Sequence, residues 1–127
     1  MTDKARPRRL LLADDDEAFT KGCARVLGRY FVVECVHSVA AALDVIRSGL
    51  PIDVVWSDNR MPGPGDGVKV LVAAAEHHPA ATLLVVTGDP NGADLTGLPD
   101  RAHVFSKQRS TSAVSFLIRA VANKAET

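Results

Sequence analysis

At 127 residues, with 15 Lys and Arg balanced by 15 Asp and Glu, the chain is long enough for one domain with its own core and carries no formal net charge. That balance excludes the electrostatic footprint expected of a protein that binds nucleic acid directly or lies on an anionic membrane. No apolar run approaches the ~18 residues of a membrane span, no apolar leader opens the chain, and Cys23 and Cys35 lack metal-site or CxxC spacing; the expectation is a cytoplasmic protein whose thiols are buried and reduced.

The basic cluster Lys4, Arg6, Arg8 and Arg9 comes first, and residues 1–8 read as a solvated tail ahead of a domain over 9–124. Arg9 to Ala13 is a short apolar run that stops at Asp14-Asp15-Asp16-Glu17, as suits a central parallel strand. A helix is predicted from Glu17 to Arg29, with Phe19, Cys23, Val26 and Leu27 at helical spacing and acids in the first turn. Phe31 to Val36 is a second, β-branched strand, and Val39 to Arg47 a second helix closed by Ser48-Gly49. Asp53 to Ser57 is a third strand with Trp56 in the core, ending at Asp58 before the Pro/Gly loop 62–65.

Gly67 to His77 is the third helix, ended by Pro79, and Thr82 to Val86 an unbroken apolar strand that stops at Thr87-Gly88. The next stretch holds Pro90, Gly92, Gly97 and Pro99, which leaves room for a turn or two of helix around Ala93 to Thr96. Ala102 to Ser106 is the fifth strand, ending at Lys107, and Ser112 to Asn123 a final amphipathic helix. Strands alternating with helices imply right-handed crossovers, and hence a doubly wound, five-stranded parallel α/β sheet whose fourth helix is shortened. His37, His77, His78 and His103 are scattered, which places them at the surface or at strand edges.

In such a fold the ligand crevice lies beyond the carboxyl ends of the strands. Asp14 and Asp15, Asp58, Thr87 and Lys107 all fall there. Three carboxylates a few Å apart repel one another unless a cation holds them, and oxygen-only ligands in a small crevice suit Mg2+ or Mn2+. A divalent ion, the Lys107 ammonium and the Thr87 hydroxyl would together stabilise a transferring phosphoryl group, with Asp58 placed to attack it. Gly88 leaves room for that group to approach the backbone.

With Asp14-Asp15, Asp58-x-x-Met61-Pro62, Thr87-Gly88 and Lys107 in this order and spacing, the chain resembles the receiver domain of two-component response regulators over nearly its whole length. The resemblance implies the flavodoxin-like strand order 2-1-3-4-5 and makes Asp58 the phosphoacceptor. Asp14 and Asp15 become the acidic pair for Mg2+, the Arg60 carbonyl a backbone ligand to it, Thr87 the phosphate-sensing hydroxyl and Lys107 the bridging amine. It also implies a sensor histidine kinase or phosphotransfer protein as phosphoryl donor, a downstream protein as target, and catalysis limited to the domain's own modification.

Three features depart from that pattern. Gly63-Pro64-Gly65 lengthens the loop after Met61-Pro62 by one residue. Gln108 follows Lys107 where the family has a cis proline; a non-proline cis bond costs about 2.5–4 kcal/mol, so a trans bond is expected, with Lys107 aimed differently. Val104 replaces the switch aromatic, and Phe105 alternates to the other side of its strand, toward the core. Arg60 and Asp89, two residues beyond Asp58 and Thr87, are expected to form a salt bridge gating the phosphate. An alternative to a phosphorylation switch is an interaction module of the same fold whose output is independent of phosphorylation. A phosphohydrolase with an aspartyl nucleophile would need a second acid at position 60, which is arginine.

Overall fold

Three apolar runs that lie side by side build the centre of the molecule, and their alternating side chains feed two separate layers of helix. In the computed structural model, which describes residues 6–91 and 94–122, the order is β1 (Arg9–Ala13), α1 (Glu17–Leu27), β2 (Val32–Val36), α2 (Val39–Ile46), β3 (Val54–Ser57), α3 (Asp66–His77), β4 (Thr82–Thr87), β5 (His103–Ser106) and α4 (Ser110–Leu117). A 3-10 turn, Lys107–Arg109, leads into α4, and a π-helical turn, Ile118–Ala122, follows it. The strands form one parallel sheet in the order β2-β1-β3-β4-β5, as expected.

Leu10 and Leu12 of β1, Val54 and Trp56 of β3, and Leu84 and Val86 of β4 pack with Cys23 and Leu27 of α1 and Ala113 and Leu117 of α4. The residues between them, Leu11, Ala13, Val55, Leu83 and Val85, pack on Ala42 and Ile46 of α2 and Val70, Leu71 and Ala74 of α3. Because both faces are covered, β1, β3 and β4 are almost wholly buried, while the edge strands β2 and β5 are half exposed. Each large side chain so buried contributes about 1.5–3 kcal/mol. Trp56 lies in this core and Phe105 packs against it, as predicted; Cys23 is buried, but Cys35 on the edge strand is only half-buried.

Element ends differ from the predicted ones for local reasons. The Asp16 carboxylate accepts the Phe19 N–H at 3.1 Å and starts α1, and the chain turns over Leu27, whose carbonyl accepts both the Tyr30 and Phe31 N–H; this ends α1 before Arg29 and delays β2 to Val32. Ser38 caps α2 through the Ala41 N–H. Gly65, at φ +82°, turns the chain into α3 one residue before Gly67, and Asp66 accepts the Gly63 N–H at 2.9 Å. Between β4 and β5 the described residues contain no helix: Asp94 to Ala102 runs as turns, and Ala93, where the short helix was to begin, lies outside the described residues. The final helix starts two residues early, at Ser110, and Asn123 is likewise outside.

The basic N-terminal residues do not behave as a solvated tail from Arg6 onward. Arg6 grips Asp53 with both terminal guanidinium nitrogens at 3.1 and 2.9 Å, Arg8 approaches it at 3.5 Å, and the Arg9 N–H donates to it at 2.8 Å. Asp53 stands just ahead of β3, so these bonds fasten the segment across the amino ends of the central strands. Lys4 lies outside the described residues. No helix among the described residues is long and apolar enough to cross a membrane.

Candidate functional site

At the opposite, carboxyl end of the sheet, Asp15, Asp58, Arg60, Thr87, Gly88, Asp89 and Lys107 line a crevice of about 470 Å3. Each is delivered by a strand end. The Asp14 N–H donates to Val36 O at 3.1 Å and the Asp58 N–H to Ala13 O at 2.8 Å, so the sheet's own ladder holds both acids at its rim. Asp14 is fully buried and Asp58 nearly so, while Asp15 faces solvent. One carboxylate oxygen from each of the three lies within 4.8 Å of the others.

Lys107 closes the group. Its Nζ stands 2.9 Å from Asp14 Oδ2 and 3.4 Å from Asp58 Oδ2, and lies over the Phe19 ring, 4.9 Å from the centroid. The expected change of aim is therefore not found. The Lys107–Gln108 bond is trans, as predicted, the cis bond among the described residues being Met61–Pro62. In place of a proline, Gln108 supplies an N–H that donates to Ser106 Oγ at 3.2 Å, and this capped turn carries the lysine to the acids.

The charges act on one another as their spacing requires. Burial and then the neighbouring Asp14 charge push the Asp58 carboxyl above its ordinary range, against the opposing pull of Lys107 and of a hydrogen bond from the Arg60 N–H. Burial pulls the Lys107 ammonium down, but its contacts with Asp14 and then Asp58 outweigh this and hold it above its usual value. Asp14 Oδ1 accepts the Asp16 N–H at 2.9 Å; Oδ2 meets Lys107 as a charge contact without hydrogen-bond alignment. A buried carboxylate oxygen left so, beside two more acids, fits a hard divalent cation bound through oxygen.

Thr87 is buried at the end of β4, and its Oγ1 accepts the Asp89 N–H at 3.3 Å. A Cβ at Gly88 would meet no protein atom, so packing does not demand glycine there. The expected Arg60–Asp89 gate is not formed: both residues line the crevice, but no ion pair joins them among the described residues, and Asp89 makes interactions of its own. Both are exposed, and an exposed pair gains only ~0–1 kcal/mol, too little to hold two side chains together.

Two contributors went unread in the sequence. The backbone N–H of Arg60 helps to pull the Asp58 carboxyl down. Phe19 looked like an ordinary apolar position of α1, yet its ring supports the lysine. A second groove, apolar and about 510 Å3, lies between α1 and α4. Its one ionisable group, Cys23, is pushed up to about 11 by burial and by Asp14, so the thiol stays protonated at neutral pH and the chemistry belongs to the acidic crevice.

No protein-family model matches the sequence. Among solved structures, a response regulator receiver protein from Sinorhizobium medicae superimposes with a TM-score of 0.73 and 30% identity, over 91% of this chain and 97% of that one. The chain belongs to the receiver-domain family of response regulators. This receiver domain is also 37% identical over 82 residues to the photosynthetic apparatus regulatory protein RegA of Rhodobacter capsulatus, and the match spans 64% of the chain and 44% of that relative's length. A Burkholderia pseudomallei response regulator, described with a phosphorylated aspartic acid and a calcium ion, shares the fold at a TM-score of 0.75 and 20% identity, over 94% of this chain and 71% of that one. Receiver membership places the chain in two-component signalling.

Proposed function

We propose that the domain is a phosphorylation-dependent switch of a His-Asp phosphorelay, with Asp58 as phosphoacceptor. The observation that carries this reading is the position of Lys107 Nζ between Asp14 and Asp58 in a crevice of three converging carboxylates. Asp14, Asp15, Asp58 and the Arg60 carbonyl would hold Mg2+, or Mn2+ in its place. When bound, such an ion supplies positive charge against the phosphate oxygens and the crowded acids.

The chain's own groups perform the rest. An Asp58 carboxylate oxygen forms a bond to phosphorus as the donor's P–N bond to histidine, or P–O bond to an acyl group, breaks, and the leaving group takes the bonding pair. Lys107 opposes the upward push on the Asp58 carboxyl beforehand and meets a phosphate oxygen afterward. Thr87, its hydroxyl turned from the Asp89 N–H, donates to another. The donor would be a sensor histidine kinase or phosphotransfer protein, in the cytoplasm, and a downstream protein would read the result. Outside its own phosphorylation and dephosphorylation the domain would catalyse nothing.

A second reading, an interaction module indifferent to phosphorylation, draws on two observations: Val104 is 41% exposed where the family carries its switch aromatic, and turns stand for the fourth helix among the described residues. Mg2+ with beryllofluoride, a phosphoryl mimic, separates the two. The switch reading expects the amide signals of Thr87 and Lys107 to move. Unmoved signals at saturating beryllofluoride would favour the module.

A further inference from the structure

Asn59, the residue after the proposed phosphoacceptor, is 2% exposed, an unusual position for a carboxamide in a loop. Its Nδ2 donates to the Asp94 carbonyl at 2.8 Å, across 35 residues of sequence. That carbonyl can only accept, which fixes the orientation of the carboxamide and leaves Oδ1 buried without a partner. The Asn59 backbone is held as well: its carbonyl accepts the Gly67 N–H at 3.1 Å, at the start of α3.

Asp94 opens the stretch that stands where a crossover helix was expected. With no helical ladder of its own, that stretch depends on what it touches. Leu95 and Leu98 pack on the α2/α3 side of the core, and Gly97, at φ +85°, lies close enough to α3 that a Cβ there would stand 3.7 Å from Val68. Within it, the Thr96 N–H donates to Asp94 Oδ1 at 3.2 Å and the Leu98 N–H to Leu95 O at 3.0 Å. The Asn59 carboxamide is the side-chain hydrogen bond, among the described residues, that ties this packed segment to the phosphoacceptor loop.

We infer that Asn59 is a positioning residue that couples the state of Asp58 to the segment from Asp94 to Leu98. The physical reason is continuity. Asp58 and Asn59 share a peptide unit, so a displacement at the first alters the direction of the second's hydrogen bond, and a segment held by few bonds follows its anchor. The unpartnered Oδ1 shows that the present arrangement leaves hydrogen-bonding capacity unused, so a shifted arrangement can gain a bond as well as lose one.

The inference rests on Asp58 being the phosphoacceptor, and its test separates the two ideas. Amide spectra are recorded with Mg2+ alone and with added beryllofluoride for the wild type, Asn59→Ala and Asn59→Leu; leucine keeps the volume, in case the cavity left by alanine prevents folding. The expected result is a Thr87 shift in all three proteins, with the accompanying shifts of Thr96, Gly97 and Leu98 lost in the variants. Shifts of Thr96 to Leu98 that persist in the variants, or are missing from the wild type while Thr87 responds, overturn the coupling and leave the phosphoacceptor standing. A wild type in which Thr87 itself fails to respond overturns both.

Discussion

Gly67 lies directly beneath Asp58: a Cβ at that glycine would collide with the Asp58 carbonyl oxygen and stand 2.7 Å from the Asn59 Cα. The first turn of α3 thus seats itself against the backbone that carries the proposed nucleophile, and a side chain there must push one of them away. Gly67→Ala is expected to destabilise the fold by about 1–3 kcal/mol, through overpacking that only backbone movement can relieve. Gly88→Ala, where a Cβ meets no protein atom, should stay within about 0.5 kcal/mol of wild type. Urea unfolding of the two variants side by side checks the contrast.

The Arg6–Asp53 pair gives the fold an acid limb. Burial alone would raise the Asp53 carboxyl, but the hydrogen bonds from Arg6 and the Arg9 N–H, with the Arg6 and Arg8 charges, outweigh it and leave the group below its ordinary 3.8. A depressed carboxylate contributes stability that is fully present above the unfolded value and is lost as pH falls through the folded one. Asp53→Asn should therefore cost about 1–2 kcal/mol at neutral pH, discounted because Arg6 is one-third exposed, and flatten the loss of stability below pH 3.8. Thermal unfolding across that range measures it.

This anchor marks a limit of what could be read from the chain alone. The central strands were legible because parallel strands covered on both faces must be apolar runs that end where the sheet meets water, and Leu10 to Ala13, Val54 to Ser57 and Leu83 to Val86 meet that demand. Their ends then located Asp14, Asp58, Thr87 and Lys107. The contact of Arg6 with Asp53 spans 47 residues and leaves no periodic trace, so a tail was the expectation. The stretch after β4 failed for a related reason: Pro and Gly say that a helix is weak, but not that Leu95 and Leu98 will pack as turns. Gln108 misled because a missing proline suggested a displaced lysine, while its N–H bonded Ser106 and kept the lysine in place.

Lys107 bridges two acids at once, and removing it should expose their repulsion. Lys107→Met is expected to lower stability by about 1–3 kcal/mol, less than for a fully buried pair because the lysine side chain is 23% exposed. Added Mg2+ should raise the melting temperature of the variant more than that of the wild type, since a cation then takes over the lost charge. Calorimetry at matched ionic strength reads this directly. Equal Mg2+ responses would mean that the acids do not share one ion.

The account stands or falls on the chemistry of position 58. Intact-protein mass spectrometry after incubation with Mg2+ and an acyl phosphate should show one added phosphoryl group on the wild type and none on Asp58→Asn. Equal labelling of the two proteins would contradict it.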